Sequence, residues 1–290
     1  MNVSRFLKIT LPVVAIPALI AILLPDNVWS TYVDIIEPLS LFIGSLLALY
    51  VAFSYRKELR AAFLFLSAFL FIYMLAIIFF LSFSPILLPY LRPHLNETEL
   101  FSLIQSVQFV NYAMLFLFCI NILKVVDITK LNRTGWLLFI FAAIYCIVAA
   151  VYPMLDLIKG VSSIGPSEIA YLIIRILDAA LIIILTPVLW LYVQYLRSQQ
   201  RQSLTFTVVI FGIVCATVFD YLFELIIAIF PKLLSQDSPL LATLPETLFI
   251  YGYLIIAVGL YAHRKQDDWG YDVIDRTMAG ELKLVDVDDR

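Results

Sequence analysis

Eight apolar stretches, at residues 9–24, 35–54, 61–83, 100–123, 135–152, 170–196, 205–230 and 247–262, set the terms on which this chain can fold. Each has about 16–27 residues, enough at about 1.5 Å per residue to cross a ~30 Å hydrocarbon layer once tilt and overhang are allowed. Inside hydrocarbon a peptide group finds no water, so such spans must close their own hydrogen bonds as helices. Composition argues against a soluble alternative: 63% of the residues are hydrophobic and 14% charged, where soluble domains hold about 45–50% and about 25%. The expected fold class is all-α, a polytopic integral membrane helical bundle with eight transmembrane helices.

Arg5 and Lys8 precede the first stretch, Pro12 and Pro17 interrupt it, and no small-residue cleavage pair stands before Pro25. It reads as a retained helix. Cleaved as a signal peptide, it would leave seven spans. Residues 1–263 are then the bundle and 264–290 a cytoplasmic acidic tail. Ile274, Met278, Leu282 and Val285 give that tail the spacing of a short amphipathic helix. An internal echo pairs Leu49-Tyr50-Val51 before Arg56 with Leu191-Tyr192-Val193 before Arg197. It raises a parallel four-plus-four repeat, about 1–133 and 134–263, although aromatic and Arg residues gather at span ends whatever their ancestry.

Loop charge orients the bundle. With the N-terminus inside, fifteen of the nineteen Lys and Arg residues fall on the inner side, and Arg92, Lys159 and Lys232 on the outer; Arg175 lies within a span. Basic loops stay in the cytoplasm, so both termini are placed there, in a cell membrane. The outer loops carry acids instead: Asp26, Asp34, Glu37, Glu97, Glu99, Asp156 and Asp237. Asn96 heads an outer glycosylation sequon, but Asn2 and Asn132 head inner ones, so the motif occurs here by chance.

Several chemistries lack their residues. There is no basic stripe for nucleic acid. Cys119, Cys146 and Cys215 sit singly in three spans, with neither disulfide nor metal spacing, and are assigned to packing. His94 and His263 fall in loops on opposite sides, which excludes a haem between them, and no span carries a lysine for a retinal Schiff base. A Gly-rich phosphate loop, a zinc-binding HExxH and a Ser/His or Cys/His pair are all missing. No cofactor, metal or catalytic role is assigned.

What remains is charge where lipid should be. Arg175 and Asp178 stand three apart in the sixth span, Asp220 and Glu224 four apart in the seventh, each pair on one helical face. Arg175 and Asp178 come roughly 10 and 15 Å below the outer surface, Glu224 and Asp220 roughly 9 and 15 Å. In antiparallel neighbours Arg175 would meet Glu224 and Asp178 would meet Asp220. The fourth span adds a stripe of Ser102, Gln105, Gln108 and Asn111, and Glu246 heads the eighth. The expected ligand- or ion-binding set is Arg175, Asp178, Asp220, Glu224, Gln105, Gln108, Asn111 and Glu246, in an outer-half pocket.

Three carboxylates against one permanently charged guanidinium leave two surplus negative charges in low dielectric. A shared proton, a cation or an amine-bearing ligand from outside has to offset them, or the cluster is a buried salt bridge that fixes helix register. The expected function is a receptor or sensor-like module whose inner face and tail engage a cytoplasmic or membrane protein. A proton- or cation-coupled transporter and a non-catalytic subunit of a membrane complex are the alternatives.

Overall fold

The computed structural model describes residues 26–79, 97–159, 166–197, 203–229 and 239–264, with the isolated positions 12 and 16. Among the described residues the chain is all-helical. Its seven α-helices are α1 (Asp26–Ser54), α2 (Lys57–Ile78), α3 (Glu97–Leu123), α4 (Arg133–Lys159), α5 (Pro166–Arg197), α6 (Ser203–Ile229) and α7 (Pro239–Arg264). One 3₁₀ turn, Ile128–Lys130, joins α3 to α4. Four helices are long and apolar enough to cross a membrane, over Ile35–Ser54, Lys57–Ile78, Gln105–Leu123 and Leu172–Tyr195. Arg133–Val148, Leu204–Val218 and Ile250–His263 are shorter apolar segments. The first apolar stretch, apart from positions 12 and 16, and the tail beyond Arg264 lie outside the described residues.

The helices overrun the apolar stretches that locate them. Pro166 and Pro239, which fall between the apolar stretches, open α5 and α7, where the missing N–H has no partner to lose. Pro38 and Pro187 sit inside helices. Several loop assignments are corrected by this overrun: Glu97 and Glu99 belong to α3 and Asp156 to α4. Asp26, Asp34 and Glu37 belong to α1, and Glu246 lies about two turns into α7 rather than at its head.

Six helices form a closed ring in the order α1, α2, α3, α5, α6, α7, with α7 packing back on α1; α4 stands outside it, against α5. The ring is filled by one apolar core drawn from all six, including Ala48, Leu66, Phe118, Leu185, Ile210 and Ile256. Aromatic contacts join Tyr55, Phe63, Phe118, Tyr192, Phe206 and His263. They bring the C-terminal ends of α1, α3, α5 and α7 to the same level as the starts of α2 and α6. Helices adjacent in both chain and ring are therefore antiparallel, while the neighbours α3 and α5, and α7 and α1, run parallel. Arg56, Lys57, Arg60, Lys124 and Arg264 share one end, called here the basic end.

Small groups set the closest approaches. Ser45 of α1 and Ser67 of α2 each donate to the other's carbonyl, at 3.0 and 2.9 Å. Gly212, Gly252 and Gly259 let α6 and α7 meet backbone to backbone. A Cβ on Gly252 would lie 2.6 Å from the Ala216 Cβ and 2.9 Å from its Cα. This is the small-residue packing that replaces hydrophobic drive between helices in lipid.

Asn132 fixes α4 to α5. Its Oδ1 accepts from the Gly135 amide and from Trp190 Nε1, both at 2.9 Å, and its amide donates to Gln194 Oε1 at 3.0 Å. The sequon residue is thus a helix cap. Beside it, the Thr129 hydroxyl and amide donate to Asp127 and hold its carboxyl below the usual carboxylate range.

Candidate functional site

α5 stands between α3 and α6 in the ring, so its side chains can reach both. Its inward seam reads Asp178, Leu181, Leu185, Val188, Tyr192, all buried, at the alternating three- and four-residue spacing that keeps one helical stripe inward. The apolar members belong to the common core. Asp178, 2% exposed, closes the seam at the end opposite the basic one.

One counter-charge and one hydrogen-bond donor serve that carboxylate. Arg175 Nη1 lies 3.5 Å from Asp178 Oδ2, one helical turn away on the same strip. Tyr112 of α3 donates its hydroxyl to Asp178 Oδ1. The guanidinium supplies the opposite charge, and the Tyr112 bond to the carboxylate is of the charge-assisted kind. Arg175 is itself buried, at 5% exposure. Two opposite charges held this deep mark either function or register, and stranding either is costly.

Asn111 precedes Tyr112 and tops the inward seam of α3 formed by Leu115, Phe118, Cys119 and Ile122. It is 4% exposed, and neither its Oδ1 nor its Nδ2 has a hydrogen-bond partner among the described residues. A buried amide has up to four bonds to satisfy. Gln105 and Gln108, expected in the same stripe, are half-buried.

The carboxylates of α6 and α7 are placed by backbone alone. Asp220 and Glu224 lie on α6 and Glu246 on α7, but their side chains, like that of Ser102, are outside the described residues. Register on α6 is given by Val218, which packs on the cluster of Cys146, Ala179 and Ile182. That sets the α6 backbone just before Asp220 level with the α5 backbone just after Asp178. Arg175 pairs with Asp178 of its own helix; the contact with Glu224 expected from the sequence lies outside the described residues.

Sequence reasoning missed Tyr112. A tyrosine deep in a span, whose hydroxyl must find a partner, was the available signal. It also placed His263 in a loop, whereas the residue sits buried in the last turn of α7. All three cysteines are free, Cys119 and Cys146 buried among apolar side chains. Among the described residues no group of His, Cys, Asp and Glu could hold a metal ion. No protein-family model, no curated protein and no solved structure matches the chain.

Proposed function

We propose that the chain is a multi-pass membrane protein of receptor or sensor type, with eight spans and both termini in the cytoplasm. Its polar tier in the outer half of the membrane takes a proton, a small cation or an amine-bearing ligand. The observation that carries this reading is the buried Arg175–Asp178–Tyr112 arrangement at one end of the ring interior. Arg175 balances Asp178, so the surplus negative charge rests on Asp220 and Glu224 of the neighbouring helix. Asn111 offers that level a donor and an acceptor.

One-sidedness favours sensing over transport. From Asp178 to Tyr192 the α5 seam runs fourteen residues, about 21 Å, through Leu181, Leu185 and Val188 only. A carrier wants polar groups and unwound helix near the midplane. A ligand would act here through its different affinity for two arrangements of the ring, read out at the basic end by a partner. The complex-subunit reading draws on one feature, the bare face of α4, where Leu137, Phe141, Ile144 and Val148 stay exposed outside the ring.

The test is thermal stability in nanodiscs from about pH 8 to pH 5, with and without small monovalent cations, divalent cations and primary amines. The wild type is expected to gain stability from protons or from one of these cations, and Asp220→Asn to lose that gain while still inserting. Identical behaviour of the two proteins would reduce the cluster to a register-fixing salt bridge.

A further inference from the structure

The second polar tier, at the basic end, is independent of the first. Tyr55 Oη, Tyr192 Oη and both ring nitrogens of His263 are buried without a hydrogen-bond partner among the described residues. They surround Phe206: Tyr192 stacks on it at 4.9 Å and 7°, and Tyr55 lies 5.9 Å away. Tyr55 also stacks on Phe63 at 5.6 Å and 9°, and its ring centre is 5.2 Å from that of His263. Phe63, Tyr192, Phe206 and His263 are buried; Tyr55 is half-buried as a residue, with its hydroxyl inside.

Tyr55 is carried on a tense turn. Only Tyr55 and Arg56 separate α1 from α2, and Lys57 adopts φ 48°, the left-handed region that a lysine rarely enters. Arg56, at the N-cap of α2, gives no side-chain cap. Backbone bonds from Tyr55 N to Ala52 O and from Arg60 N to Arg56 O, and the Arg60 guanidinium over the Phe53 ring, also span the turn; the Tyr55 ring, set between Phe63 and His263, is what ties it to the ring interior.

An imidazole in this setting tolerates only its neutral form. His263 makes no ion pair among the described residues. Tyr55 faces it from the α1–α2 turn. The charged groups on the flanking segments are mostly cations: Arg264 beside it on α7, with Arg56, Lys57 and Arg60 at the start of α2. Glu58, half-buried, is the acid of that α2 turn, and the described starts of α6, at Ser203, Leu204, Thr205 and Phe206, bring no charge. A proton on His263 would be a buried charge among like charges, relieved by water admitted past Tyr55.

We propose that His263 is a proton-binding site at the basic end of the ring, latched by Tyr55, and that its protonation releases the ring and opens the α1–α2 turn. The released state exposes an unperturbed imidazole, with a pKa near 6.5. Linkage then raises the opening equilibrium about tenfold between pH 7.5 and pH 5.5.

Hydrogen–deuterium exchange of the full chain in nanodiscs, corrected for intrinsic rates, reads this opening directly across residues 52–60. The wild type is expected to exchange about tenfold faster there at the lower pH, with no such rise in His263→Gln. In Tyr55→Ala, where the latch is gone, the segment should exchange fast at both pH values. His263→Phe, an apolar ring of similar breadth, serves if the glutamine variant does not fold. A flat wild-type profile, an undiminished rise in the His263 variant, or a Tyr55→Ala turn as protected as the wild type would each overturn the proposal.

Discussion

Asp178 and Arg175 stabilise one another, and each substitution exposes a different deficit. Arg175→Leu leaves Asp178 buried without its counter-charge, next to a helix that carries two further acids. The expected loss is about 3–5 kcal/mol. Asp178→Asn still accepts from Tyr112, and leaves a guanidinium with acids on α6 to turn to, so its loss should be smaller. Tyr112→Phe removes one hydrogen bond to a charged group, about 1.5–3 kcal/mol. Denaturation in mixed micelles ranks the three, and an Arg175→Leu protein as stable as Asp178→Asn would contradict the charge arithmetic. Arg175 and Asp178 were readable because a charge in an apolar run is conspicuous and a spacing of three fixes its face. Tyr112 was not, since tyrosine is unremarkable near membrane interfaces, and only depth makes its hydroxyl need a partner. His263 escaped because the helix continues past the apolar run that was taken to end it.

The α6–α7 pair depends on absent side chains. Gly252→Val would drive its Cβ into the Ala216 backbone, where no side chain can swing aside, and should cost about 1–3 kcal/mol or force the helices apart. Gly44→Ala is the matched control: its Cβ would meet the Leu70 Cδ1 at 3.3 Å and the Ala257 Cβ at 3.9 Å, so a slight adjustment suffices. Melting temperatures of the two variants should differ clearly; equal values would remove the case for backbone contact. The apolar stretches told where the seven described helices lie, because length and hydropathy report crossing potential. Their ends were not legible. Nothing in hydropathy marks Pro166 and Pro239 as helix starts, although proline opens a helix readily.

The ring itself left little trace in the sequence. In water a helix declares its buried face by contrast, but in lipid both faces are apolar: exposed Phe141 and buried Phe118 look alike. Helix order around the ring, and the exclusion of α4 from it, follow from packing that hydropathy does not record. The two polar tiers show the same limit. The Arg175–Asp178 tier was visible through its charges, whereas the basic-end one is made of tyrosines and a histidine that composition treats as ordinary. Asn111 offers the most direct probe of the outer tier. Asn111→Cys, in a background with Cys119, Cys146 and Cys215 changed to Ala, can be challenged in sealed oriented vesicles with a membrane-impermeant thiol reagent. The account predicts modification from the external side only, slowed by whichever cation or amine stabilises the protein. Modification from the cytoplasmic side, or from neither side, would contradict a polar site open to the outside.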